Sequence, residues 1–219
     1  MIGRKLVIFD LDGTLVNTIE DLGTAVNHVL AETGRPLHAI GEYRMMVGNG
    51  VRKLIQRALP QAEQADESLP DRLLPGFIDY YGSHCTVHSR PYPGIAALLE
   101  ELSERGYGIA VASNKYQEGT SAIVSHFFPE IPFLGVVGGT DARPLKPSPE
   151  IISYLLELGG VGKEDCVMVG DSGTDVQTAR NAGIRSIGVT WGFRPEAARE
   201  ADHVADTADE LRELLLKEL

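Results

Sequence analysis

The stretch "LVIFDLDGT", Leu6 to Thr14, ends an apolar run in two aspartates, Asp10 and Asp12, separated by one residue. Along a strand, side chains two apart face the same way, so both carboxylates are expected to reach one cavity. Like charges held that close repel, and the pair is tolerable only if a cation serves one or a proton stays on the other. A second acidic group stands in "VMVGDSGTD", where Asp171 ends another apolar run and Asp175 follows one helical turn later. Alone, this second group reads as a helix start, with Asp171 or Ser172 capping and Asp175 set against the dipole. Beside Asp10 and Asp12, four carboxylates at strand ends require a divalent cation, and donors that are all oxygen favour Mg2+ over zinc.

A Mg2+ site of this kind points to phosphate, which needs further positive or hydrogen-bonding groups. "VASNK" supplies Ser113 at a strand end, followed by Asn114 and Lys115, and "RPLKPSPE" supplies Lys146 ahead of a proline expected to open a helix. Gly13 lets the chain turn away sharply from the two aspartates. Thr14 offers a hydroxyl and backbone N–H groups near a bound phosphate.

The elements that must position these residues are legible as alternation. Short apolar runs recur in "LVIFD", "GIAVASN", "FLGVVGG", "CVMVGD" and "SIGVTWG", each expected to be a strand buried on both faces. Between them lie segments of helical spacing, 95–105 and 149–158, and the chain closes on an amphipathic helix behind Thr207 as N-cap. Strands alternating with helices predict an α/β fold, a doubly wound parallel sheet of Rossmann-like type. Ligands of such sheets bind beyond the carboxyl ends of the strands. The stretch 15–90 breaks the alternation, with helix-like segments at 19–32, 50–58 and 72–85 and no strand-like run. It is expected to be a small inserted α-helical cap domain, with residues 1–14 and 91–219 forming the core. "HSRPYPG" would be the return linker, and the cap a lid over the first strand's end.

Composition narrows the partners. The 219 residues carry 20 basic and 31 acidic side chains, a net charge of -11, the wrong sign for nucleic acid or an anionic membrane surface. An anionic substrate must therefore be met by local cations. Cys85 and Cys166 form neither a disulfide framework nor a paired metal motif, and the six histidines lack metal-ligand spacing. The apolar run after Arg4 and Lys5 is too short for a signal peptide, so a cytoplasmic protein is expected, monomer or homodimer. Trp191 and Phe193 are read as core residues near the site edge.

Four motifs in this order, "DLDGT" at 10–14, the serine of "VASNK", the lysine of "LKPSPE" and "GDSGTD" at 170–175, resemble the haloacid dehalogenase superfamily of phosphohydrolases over nearly the whole chain. The resemblance implies a helical cap after the first strand and assigns roles. Asp10 would be the nucleophile that forms an aspartyl-phosphate, and Asp12 the acid and then base. Asp10, the Asp12 carbonyl, Asp171 and Asp175 would hold Mg2+, while Ser113 and Lys146 would bind the phosphoryl oxygens, with Thr14 and Asn114 beside them. "PYPGI", "SNK", "KPSPE" and "VTWGF" look most like the phosphoglycolate phosphatase group, whose relatives include pyrophosphatases and broad phosphomonoesterases. The substrate would be a small phosphate ester, with Arg52 or Lys53 after "VGNG", and Lys115, as candidates for contacting its remainder. A phosphomutase of β-phosphoglucomutase type would use the same two aspartates. A phosphoacceptor regulatory domain shares the residue types but lacks the long helical insertion, and members of the dehalogenase branch lack an aspartate at the position of Asp12.

Overall fold

The computed structural model describes residues 5–218. Its centre is a six-stranded parallel sheet ordered β5-β4-β1-β6-β7-β8, comprising β1 (Leu6–Phe9), β4 (Gly108–Tyr116), β5 (Gly135–Gly139), β6 (Cys166–Gly170), β7 (Arg185–Val189) and β8 (His203–Ala205). β1 lies between β4 and β6 with Phe9 opposite both Val111 and Val169, and all four of its side chains are fully buried. Alternation sends them to opposite faces. Leu6 and Ile8 pack with Ile152 and Leu155 of α6 (Glu150–Gly159) and Ala179 of α7 (Gly173–Ala182). Val7 and Phe9 join the larger cluster with Leu98 of α4 (Ile95–Glu104), Ile123 of α5 (Gln117–Phe127) and Leu211 of α9 (Ala208–Glu218). A strand covered on both faces has no need of polar positions, which is why these runs are continuous rather than alternating. The doubly wound α/β reading therefore holds.

The five anticipated strands are present, and β4 runs on to Tyr116 through an irregularity in its pairing with β5 between Ala112 and Tyr116. Strand β8 adds an edge of only three residues, too short for any hydrophobic period. The Lys146–Pro147 peptide is cis, and Pro147 belongs to the loop instead of opening the helix, since α6 starts only after Pro149. Thr207 accepts the Glu210 N–H at 3.2 Å, the capping contact expected at the start of α9.

Between β1 and β4 the chain forms α1 (Ile19–Glu32), a 3-10 turn at Ile40–Met45, α2 (Val51–Ala58) and α3 (Ser68–His84). Helix α3 begins one turn before the expected position 72 because Pro70 falls in its first turn, where the missing N–H is one that lacks a helical acceptor anyway. The two crossings of this segment are joined by an antiparallel ribbon, β2 (Val16–Asn17) with β3 (Arg90–Pro91). Asp21, 2% exposed, locks the same place: its carboxylate accepts the N–H groups of His88 (2.9 Å) and Ser89 (2.8 Å) and the Ser89 hydroxyl (2.6 Å). Replacing Asp21 by Ala strands those donors away from water, and the expected cost is about 3 kcal/mol. Urea unfolding of Asp21→Ala against the parent protein checks it, with a loss below about 0.5 kcal/mol counting against the role.

Candidate active site

Five of the six strands of the sheet contribute site residues at its upper edge, on the strand or in the loop that follows it. Asp10 follows β1, its N–H donating to the Val169 carbonyl at 2.9 Å and so fixing where the side chain leaves the strand. Ser113, Asn114 and Lys115 sit on the last residues of β4, Lys146 on the loop after β5, Asp171 directly after β6, and Trp191 to Arg194 on the loop after β7. β1 is the point from which the chain winds outward in both directions, so the loops there diverge and leave a crevice. A cavity with about 650 Å³ of empty space, open mouth included, is lined by Asp10, Asp12, Ser113, Lys115, Lys146, Asp171 and Asp175, among others.

Lys146 is the hub. Its ammonium donates to Asp10 Oδ1 at 2.8 Å and to Asp175 Oδ1 at 2.6 Å, with both the lysine and Asp175 side chains 2% exposed. Burial works against its charge, yet Asp10 and Asp175 outweigh it and hold the lysine charged. A second ammonium, Lys115, lies 3.0 Å from Asp12 Oδ1, which also accepts the Thr18 hydroxyl at 2.6 Å, and 4.7 Å from the Tyr81 ring centre. Four carboxylates against two ammonium groups leave two negative charges in a buried place. Burial accordingly pushes the Asp10 carboxyl well above its usual range, with Asp175 and Asp171 adding to it and Lys146 opposing. Asp171, 3% exposed, is pushed up to about 7, first by burial and then by Asp175.

Oxygens of Asp10, Asp171 and Asp175 lie within 4.8 Å of one another, a buried all-oxygen donor set that fits one small hard cation. The residual double charge fits a divalent one. The Asp12 carboxylate stands outside this trio, engaged with Lys115 and Thr18. Ser172 caps α7, its N–H (3.1 Å) and hydroxyl (2.6 Å) both donating to Asp175 Oδ2, so the helix-start reading of "GDSGTD" holds and leaves Asp175 Oδ1 to Lys146. The Phe193 N–H donates to Asp171 at 2.6 Å. Gly13, at φ +92°, and Gly192 pack so closely on the Asp171 carboxylate that a Cβ at either would collide with it.

The remaining anticipated residues divide. Ser113 lines the cavity, its hydroxyl accepting the Lys115 N–H at 3.1 Å. Asn114 lines it too, but its amide holds backbone: Nδ2 donates to the Gly48 and Lys146 carbonyls, both at 3.0 Å, and Oδ1 accepts the Lys146 N–H at 2.8 Å. Thr14 is fully buried, with no partner for its hydroxyl among the described residues, and does not line the cavity. Its carbonyl accepts the Trp191 indole N–H at 3.1 Å, which ties that ring to the first loop. Arg52 and Lys53 are not brought to the cavity. The helix does start after Gly50, but Arg52 points along the outside to Asp71 (2.7 Å) and Lys53 to Gln56 (2.7 Å). The cavity wall instead contains Arg44, from the 3-10 turn, and Arg194, whose positions no helical or strand period marks.

A family model, "haloacid dehalogenase-like hydrolase", matches residues 7–189. A phosphoglycolate phosphatase of Mesorhizobium japonicum is 36% identical over 200 residues, covering 90% of this chain and 87% of that protein. Another, of Pseudomonas putida, is 34% identical over 216 residues, 96% of this chain and 78% of that one. A crystal structure from Lactobacillus delbrueckii subsp. bulgaricus, provisionally described as a phosphoglycolate phosphatase, superposes with a TM-score of 0.88 at 31% identity, covering 98% and 99% of the two chains. The chain therefore belongs to the haloacid dehalogenase-like hydrolase family. Its relatives within that family are phosphatases, and it is an enzyme of that kind.

Two outcomes follow from the charge balance. A proton held by Asp171 up to about pH 7 must leave before a cation binds, so the thermal stabilisation given by Mg2+ should be large at pH 8 and fade as pH falls through 7. Melting curves with and without Mg2+ at pH 8 and pH 5.5 test this, and an equal shift at both would contradict it. Lys146→Met leaves Asp10 and Asp175 without their shared counter-charge and should cost about 3 kcal/mol in metal-free protein, read from urea unfolding.

Proposed function

We propose that the protein is a Mg2+-dependent phosphomonoester hydrolase that works through an aspartyl-phosphate on Asp10 and takes 2-phosphoglycolate as its substrate. The observation that carries the reading is the pair of aspartates two residues apart, each held by its own buried lysine and both facing one cavity beside Asp171 and Asp175. Mg2+ bound by Asp10, Asp171 and Asp175 would supply the positive charge that lets an anionic ester approach these carboxylates. The names of the relatives support the choice of ester.

In this reading Lys146 fixes one oxygen of Asp10, and the Asp10 carboxylate attacks phosphorus as the bond to the leaving oxygen breaks. Thr18 and Lys115 both hold Oδ1 of Asp12, which leaves Oδ2 to give a proton to the departing glycolate oxygen. Asp12 then takes a proton from the water that attacks phosphorus, releasing phosphate and restoring Asp10. Lys146 and the Ser113 hydroxyl, both in the cavity wall, would bind the phosphoryl oxygens. Asn114 acts through its backbone clamps by holding the Lys146 loop in register. Residues 15–90 form the helical cap over a core of 1–14 and 91–219, a division supported by the β2–β3 ribbon that joins the two crossings. A cytoplasmic location accords with the absence, among the described residues, of any helix long and apolar enough to cross a membrane.

Phosphate release from 2-phosphoglycolate, pyrophosphate and β-glucose 1-phosphate tests the reading. Activity should require Mg2+, favour 2-phosphoglycolate and fall at least about 1,000-fold in Asp10→Asn, which keeps the shape of the side chain and removes its nucleophilic charge. Faster release from pyrophosphate, or glucose 6-phosphate formed without free phosphate, would move the protein to a pyrophosphatase or mutase.

A further inference from the structure

The substrate proposed above carries two anionic ends, and the cavity has four basic side chains in its wall: Lys115, Lys146, Arg44 and Arg194. Lys115 and Lys146 are already neutralised by Asp12, Asp10 and Asp175. Neither Arg44 nor Arg194 has a carboxylate partner among the described residues, in a chain with 31 acidic side chains.

The two arginines differ in what else they do. Arg194, from the loop after β7, reaches across to the 3-10 turn, where Nη2 donates to the carbonyls of Met45 (3.1 Å) and Val47. Gly48, at φ +113°, lies against its guanidinium, and a Cβ there would sit 3.7 Å from Nη2. Arg57 holds the same turn from the other side, donating to the Met46 carbonyl and to Asn49 Oδ1, both at 2.7 Å. Asn114 adds the Gly48 carbonyl at 3.0 Å. The backbone from Met45 to Gly48 is thus clamped by Arg194, Arg57 and Asn114. Arg44 immediately precedes this clamped segment and is among the cavity-lining residues; its exposed side chain makes no hydrogen bond or ion pair to any described residue. A guanidinium beside a clamped turn, at the wall of a cavity and without an anion, can bind a planar carboxylate.

We propose that Arg44 is the specificity residue of this cavity: its guanidinium binds the carboxylate of a phosphorylated hydroxy acid, with Arg194 positioning the turn that carries it. The proposal rests on the phosphohydrolase reading above and gives the leaving group its chemical class, a short-chain 2-hydroxy carboxylate. It replaces Arg52 and Lys53, whose side chains are turned outward to Asp71 and Gln56.

The test compares kcat/KM for 2-phosphoglycolate with that for 2-hydroxyethyl phosphate, in which a neutral hydroxymethyl group replaces the carboxylate. The wild type should prefer 2-phosphoglycolate, and Arg44→Gln should lower that ratio about tenfold or more, with the loss mainly in KM. Arg44→Lys should recover part of the ratio, since the charge returns without the planar fork. A general loss of folding or of catalysis would lower both esters together and leave the ratio within about threefold of wild type, and that result overturns the proposal. A wild type that hydrolyses 2-hydroxyethyl phosphate as well as 2-phosphoglycolate overturns it too, while leaving the hydrolase reading intact. A wild type that hydrolyses neither ester, nor any other phosphomonoester, removes both.

Discussion

Repulsion among four carboxylates at the end of one sheet is the constraint on which the rest of this structure depends. Asp10, Asp12, Asp171 and Asp175 line one cavity, and the buried ammonium groups of Lys115 and Lys146 offset only half their charge. Burial first, and the neighbouring carboxylates after it, push the Asp10 and Asp171 carboxyls upward. A site in this condition attracts either protons or a divalent cation.

The fold can bear this load because its central strands are covered on both sides. β1 has no exposed side chain and pairs with β4 and β6 in register, so Asp10 and Asp171 are placed by main-chain hydrogen bonds rather than by flexible loops. Close backbone approach does the rest: Gly13 and Gly192 press against Asp171, and the Phe193 N–H holds its carboxylate. On the other side, Asp21 and the β2–β3 ribbon fasten both crossings of the helical segment. Thr18, at the foot of α1, then reaches Asp12. Contacts from the helical segment to the chemistry therefore include Thr18, the Tyr81 ring near Lys115 and the Gly48 carbonyl held by Asn114.

The core of the site was legible because its residues terminate strands, where an unbroken apolar run gives way abruptly to charge. Asp10, Asp171 and Ser113 all announce themselves in this way, and β1, β4, β6 and β7 follow from the same runs. Residues whose role depends on direction rather than period were not legible. Arg52 occupies a plausible helix start, but rotation about α2 turns it to Asp71 on α3. Arg44 lies in a short 3-10 turn with no repeating pattern, so its aim into the cavity emerges only from tertiary packing. Asn114 reads as a ligand by its company, whereas its amide spans two backbone segments more than 30 residues away in sequence. The three-residue β8 is completed by pairing with β7 and carries no signal of its own.

The measurement that tests the account most directly is a rapid acid quench during the first turnover of 2-phosphoglycolate labelled with 32P, in the presence of Mg2+. Label should appear bound covalently to the protein, mapping to the peptide that contains Asp10, before free phosphate forms, and should be absent in Asp10→Asn. Release of labelled phosphate with no labelled protein at any time, or label that persists in Asp10→Asn, would contradict it.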